Sequence, residues 1–161
     1  AKRWLRKRSR GNALSGLIAS SGGRRLKPEG IDVKVGIEPE QWFLNGPDDV
    51  RGCQYLEQVA TEFDIQGLEL DWAGVAWEAD LRRDSGGWDY KRFSGTKWQK
   101  VNLPVKQTYL LNAYRVLLTR ARQGMVIFVP RGSKDDPTRL PEFYNPIAEY
   151  LVECGILELS D

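Results

Sequence analysis

The stretch VLLTRARQGMVIFVP, residues 116–130, carries a leucine-rich helical pattern into an apolar strand and places two arginines at the junction. Upstream of it Tyr109, Leu110, Ala113, Tyr114, Leu117 and Leu118 recur at three-to-four spacing after Pro104, a residue suited to a first helical position. The pattern predicts a helix from Pro104 that ends near Gly124, followed by MVIFVP as a strand of the continuous apolar kind that parallel sheets bury on both faces. Arginine does not give up its charge on burial, so Arg120 and Arg122 at such a junction require an anion. A structural carboxylate would serve, and so would a nucleotide phosphate.

Outward from that junction the chain alternates strand and helix signals. GLIASSGG, residues 16–23, reads as a short buried strand running into a glycine turn, after which Arg24 to Leu26 could begin a helix that Pro28 stops. Residues 30–50, with Pro39, Gly46 and Pro47 around EQWFLN, read as strand, turn and loop. YLEQVATEF, residues 55–63, reads as a strand or short helix. The segment after it turns at Gly67 and ends in a strand across Ala73 to Trp77. Between residues 78 and 103 the aromatic and charged pattern, interrupted by SGG and SGT, is that of successive β-hairpins inserted into the core pattern. FYNPIAEYLVEC, residues 143–154, makes a final amphipathic helix before Gly155. Strands joined by crossover helices imply an α/β fold with a mostly parallel sheet, and the 161 residues suit one domain.

Composition narrows the chemistry. Net charge is +2 from 24 basic and 22 acidic residues, so the chain as a whole has no nucleic-acid footprint, although AKRWLRKRSRG at its start is locally basic. That start reads either as a phosphate-binding arm or as a solvated helix. Histidine is absent, which removes the commonest general base and any Ser-His-Asp arrangement. Cys53 and Cys154 stand far apart without partners at metal spacing, so no protein metal site is expected, and a reducing, cytoplasmic location is the simplest expectation. No apolar run is long enough to span a bilayer.

Three short motifs fall where sheet-borne ligand sites arise. SSGGRR offers a glycine turn followed by Arg24 and Arg25, which could meet a phosphate or simply close a turn. TEFDIQGLELD offers Gly67 for a tight turn and Glu69 just after it, a carboxylate that could face ribose hydroxyls, cap a helix or pair with a cation. The third is the Arg120 and Arg122 junction, where a guanidinium could neutralise charge on a transferred phosphoryl group.

The order of these motifs brings a family into view. TEFDIQGLELD resembles motif V of superfamily 1 DNA and RNA helicases, and Tyr114 with LLTRARQGMVIFV resembles their motif VI. More narrowly, ATEFDIQGLELDW together with SGLIASSGGRRL and DPTRLPEFYNPIAEYL is similar to bacterial helicase-like proteins, a family of initially unknown function related to the helicase half of Schlafen proteins. The resemblance implies a three-layer RecA-like domain of the P-loop NTPase type, residues 1–161, with a β-rich insertion at about 78–103. It would be the second of two such domains, with ATP and Mg2+ held mainly by the first, which supplies the missing GxxxxGK[ST] loop.

In that reading Arg120 is the arginine finger, while Gln66, Gly67 and Glu69 form the nucleotide-facing loop of motif V. Arg24, Arg25 and Arg122 are further contacts to nucleotide, with Arg122 alternatively structural, and Thr61 and Phe63 face single-stranded DNA or RNA. Phe63 stands where many relatives carry histidine. Trp72, Trp88, Tyr90 and Trp98 are available as stacking platforms or as packing. The implied partners are the N-terminal RecA-like domain of a longer parent chain and a nucleic-acid strand, and a chain beginning without methionine fits such a piece. Two other readings stay open: a non-hydrolysing module that binds nucleic acid or protein through WDYKRFSGTKWQK, and an ATPase coupled to an appended nuclease.

Overall fold

The structure of the protein is a computed structural model and describes residues 1–33 and 36–159. Four strands form its central sheet: β1 (Ser15–Ala19), β2 (Val59–Thr61), β3 (Leu70–Ala76) and β7 (Ala121–Phe128). Their order is β2-β1-β3-β7, and every neighbouring pair is parallel. Between β3 and β7 lie β4 (Leu81–Asp84), β5 (Gly87–Ser94) and β6 (Lys97–Lys100), which form a separate antiparallel sheet. The hairpins expected at about 78–103 are therefore present, with their turns at SGG and SGT.

Alternation along the parallel strands divides the core between two faces. Leu17, Ala19 and Ala76 pack with Leu5, carried by α1 (Lys2–Arg8), and with Leu26 of the 3-10 turn Arg24–Glu29. Ile18, Ala73 and Val75 meet the opposite layer, where Trp42 comes from α2 (Pro39–Leu44), Tyr114 and Leu117 from α3 (Pro104–Leu118), and Ile147 and Leu151 from α4 (Asn145–Glu153). The result is an α/β domain with helices on both faces of a parallel sheet. On the second face the antiparallel sheet joins the core through Trp88, which stacks on Trp77 with ring centroids 6.2 Å apart and meets Tyr150 edge-on at 5.3 Å.

Three local expectations need correcting. The helix after Pro104 ends at Leu118, not near Gly124. The Thr119 hydroxyl donates back to the Arg115 carbonyl at 2.8 Å and so closes the last turn, and the next strand begins at once with Ala121. MVIFV is not buried on both faces, because β7 lies at the edge of the sheet and only Val126 of its residues is buried. Within 30–50, expected to be strand, turn and loop, residues 39–44 are helical, and residues 34 and 35 lie outside the described residues. Pro39 occupies the first turn of that helix, where the ring needs no amide partner.

Candidate functional site

Parallel strands leave their carboxyl ends at one rim of the sheet, and the chain collects polar groups there. Ser20 and Ser21 follow β1, Glu62 follows β2, and Glu78 and Asp80 follow β3. Asp80 is buried and accepts from the Ser20 hydroxyl at 2.7 Å and from the Tyr114 hydroxyl at 2.6 Å. Glu62 accepts from the Ser21 amide and hydroxyl, both at 2.7 Å. The backbone amides of Arg25 and Ala79, each at 2.7 Å, and the Tyr144 hydroxyl donate to Glu78. Gly22 closes the turn directly against Asp80: a Cβ there would stand 2.6 Å from the carboxylate.

Burial sets the electrostatics of this rim. Loss of water pushes the Glu78 carboxyl up to about 7, and the neighbouring Asp80 charge adds to the shift, against the three donors that favour the anion. Asp80 is raised as well, again by burial first, although Tyr114 and Ser20 pull it the other way. The Tyr114 hydroxyl is raised by burial and by the adjacent Asp80, so it remains a donor.

Beside the rim opens a cavity of about 720 Å3. Ser20, Ser21, Glu62 and Asp80 contribute to its lining, Lys91, Arg92 and Phe93 of β5 form another part, and Lys106, Tyr109 and Leu110 of α3 complete it. Arg24, Phe63 and Gln66 reach it too, so three of the residues singled out in the sequence meet here. Thr61 is adjacent in the chain, but its amide and hydroxyl both donate to Asp64 at 2.7 Å.

A second group assembles at the other end of the strands. The Leu70 amide donates to the Arg120 carbonyl at 2.9 Å, which brings the start of β3 against the start of β7. Glu69 and Arg120 are thereby neighbours across the sheet edge, although 51 positions separate them in the chain. Register slips between Leu70 and Trp72, and the extra residue on β7 is accommodated where Gln123 bonds Asp71 at 2.9 Å. Arg122 lies 3.7 Å from Glu69, and both side chains are exposed. Gly67 adopts φ 77°, a left-handed turn that glycine allows without strain.

Arg120 itself is half-buried, with Nε donating to the Val116 carbonyl at 3.3 Å and Nη2 to the Thr119 hydroxyl at 3.4 Å. Among the described residues no carboxylate pairs with it.

The residues that the sequence singles out are thus divided between two ends of the sheet rather than gathered at one. Arg25 is committed elsewhere, with Nη2 on Asp136 at 2.7 Å. With the Arg139–Glu29 pair, it ties the loop after β7 to the 3-10 turn. The proposed aromatic platforms are packed: Trp72 against Trp4, Trp88 against Trp77, Tyr90 against the main core, and Trp98 against Phe93 with its indole N–H on the Thr138 carbonyl. What sequence reasoning missed is the buried set Glu62, Glu78 and Asp80. Its legible signal was WEAD directly after the apolar run of β3, two acids placed where a parallel strand ends.

No helix among the described residues is long and apolar enough to cross a membrane. No curated protein and no solved structure matches the chain. The family model described as Schlafen group 3, DNA/RNA helicase domain, matches residues 1–131, which is most of its length. The chain belongs to the Schlafen group 3 DNA/RNA helicase domain family.

Proposed function

We infer that the domain is the second, RecA-like motor domain of an ATP-dependent DNA or RNA helicase or translocase, and that Arg120 is its arginine finger. The observation that carries this reading is the backbone bond from Leu70, the residue after Glu69, to Arg120 at the starts of β3 and β7, with the Arg120 guanidinium bonded among the described residues to neutral oxygens. A half-exposed arginine kept in place by a carbonyl and a hydroxyl retains its charge for an anion brought by another domain. The γ-phosphate of ATP, bound with Mg2+ by an N-terminal RecA-like domain of the same parent chain, is that anion. Closure of the two domains would bring Arg120 to the developing charge, and hydrolysis would release it, moving one domain relative to the other along a strand.

Glu69 and Gly67 shape the motif V loop beside the nucleotide in this reading, with Gln66 at its turn. Arg122, paired with Glu69 on the surface, positions that carboxylate. Arg24 is the exposed arginine of SSGGRR and contacts phosphate, and Thr61 and Phe63 face the strand. The alternative of a non-hydrolysing binding module would be favoured by an Arg120 sealed against a carboxylate, and Arg120 has no such partner among the described residues. Turnover of ATP by the parent protein, with Arg120 intact and replaced, tests the reading.

A further inference from the structure

We propose that the cavity between β5 and α3 is a pocket for one base of a single-stranded nucleic acid, selective for bases that carry an amino group. The proposal rests on the reading that this domain engages a strand, and adds to it where a base goes and which base is preferred.

The charge arrangement divides the cavity into two zones. Arg24 and Lys106 are exposed cations at its margin, and neither makes an ion pair among the described residues. Arg92 adds a third cation, bonded among the described residues to the neutral amide oxygen of Gln99 at 3.2 Å. Deeper in, Glu62 and Asp80 present carboxylates. A free anion is attracted to the margin and repelled from the floor, so a ligand that fills the whole cavity is anionic at one end and a hydrogen-bond donor at the other. A nucleotide unit of a strand has that polarity, with its phosphodiester at one end and its base edge at the other.

The walls fit the flat part of such a ligand. Phe63 and Tyr109 both line the cavity and are 67% and 68% exposed, which is unusual for aromatic rings and leaves their faces open to a partner. Stacking on aromatic rings above a cationic groove is how proteins hold single strands. Phe93 of β5, which also lines the cavity, packs edge-on against Trp98, so Phe63 and Tyr109 carry the stacking surface.

Selectivity comes from the floor. Each Glu62 oxygen already accepts one hydrogen bond from Ser21, which fixes the carboxylate and leaves a lone pair on each oxygen for a donor in the cavity. The exocyclic amine of cytosine or adenine is such a donor, and a carboxylate accepting from cytosine N4 is a known base-reading contact. Thymine offers a ring N–H flanked by two carbonyl oxygens, which a carboxylate repels.

The test is equilibrium binding of the 161-residue chain to fluorescein-labelled oligo-dC and oligo-dT of equal length, followed by anisotropy over a series of salt concentrations. The expected result is oligo-dC bound about tenfold more tightly than oligo-dT, with the difference removed by Glu62→Gln. Because Glu62 also holds Ser21, Tyr109→Ala at an exposed position serves as the second variant and should weaken both oligonucleotides about tenfold. Arg24→Ala with Lys106→Ala should lower the salt slope by about 0.7 for each phosphate no longer neutralised. Equal affinity for the two oligonucleotides, or affinities unmoved by both Glu62→Gln and Tyr109→Ala, overturns the pocket while leaving strand binding in place. Absence of binding to either oligonucleotide overturns strand engagement as well, and the ATPase role of Arg120 is decided separately.

Discussion

The Leu70 amide and the Arg120 carbonyl, 2.9 Å apart, join two segments of opposite character. On the Leu70 side the chain turns from an exposed loop into the core, and on the Arg120 side it turns from helix into strand. Two arginines emerge at that seam with different fates. Arg122 forms a long, exposed pair with Glu69, and such pairs contribute about 0–1 kcal/mol. Arg122→Ala should therefore lower unfolding free energy by less than about 1 kcal/mol in urea denaturation. A drop of more than about 2 kcal/mol, beyond what an exposed pair supplies, would mean that the seam depends on this pair.

Tyr114 ties the middle of α3 to the end of β3 through Asp80. Tyr114→Phe keeps the ring against Trp77, whose centroid is 4.4 Å away, and removes the hydroxyl alone. Asp80 is then left with fewer donors in a buried position, at a cost of about 1–3 kcal/mol. Chemical denaturation of the variant should show that decrease with an unchanged m-value, whereas unaltered stability would show that water replaces the hydroxyl.

At Gly74 the first helix comes down onto the sheet. A Cβ there would lie 2.7 Å from Leu5 Cδ1 and 2.9 Å from Leu17 Cδ2. Gly74→Val adds volume against the ends of two buried leucine side chains, which must repack between α1 and the sheet, so a destabilisation of about 1–3 kcal/mol is expected. Thermal unfolding reads it directly, and a variant as stable as the parent would contradict the close packing of α1.

Glu78 gives stability a definite pH dependence. Its folded-state pKa of about 7 lies above the ordinary carboxyl value, so between about 4.5 and 7 the folded chain holds a proton that the unfolded chain has released. Stability therefore falls as pH rises through that window and levels off above it. Asp80, also raised by burial, acts in the same direction. Glu78→Gln should flatten the profile measured by urea denaturation at about pH 5 and about pH 7.5, on either side of most of that titration. An identical slope in the variant would place the dependence elsewhere.

Much of the architecture was legible because local patterns were strong. GLIA, the two glycine turns of the insertion and the leucine spacing after Pro104 each specify one element, and each forms, while the strand expected across Ala73 to Trp77 runs from Leu70 to Ala76. α2 was obscured because Pro39 reads as a breaker when its neighbours are unknown, yet it suits a helix start. MVIFVP looks like a central strand by composition, but whether a strand is central or at an edge depends on which strands flank it, and among the described residues β7 pairs with β3 alone. The site was less legible for a related reason. Glu62 and Asp80 become neighbours of Ser20 and Ser21 only through parallel pairing of β2, β1 and β3, a relation that no local window contains. Nor does the motif order reveal that Arg24 and Arg120 lie at opposite ends of the strands.

Nucleic-acid-stimulated ATP turnover by the parent protein, compared with its Arg120→Ala variant, tests the central claim most directly. Loss of an arginine finger is predicted to reduce turnover by about a thousandfold while nucleotide binding persists. Turnover unchanged by the substitution, or a parent protein that hydrolyses no ATP, would contradict the motor reading.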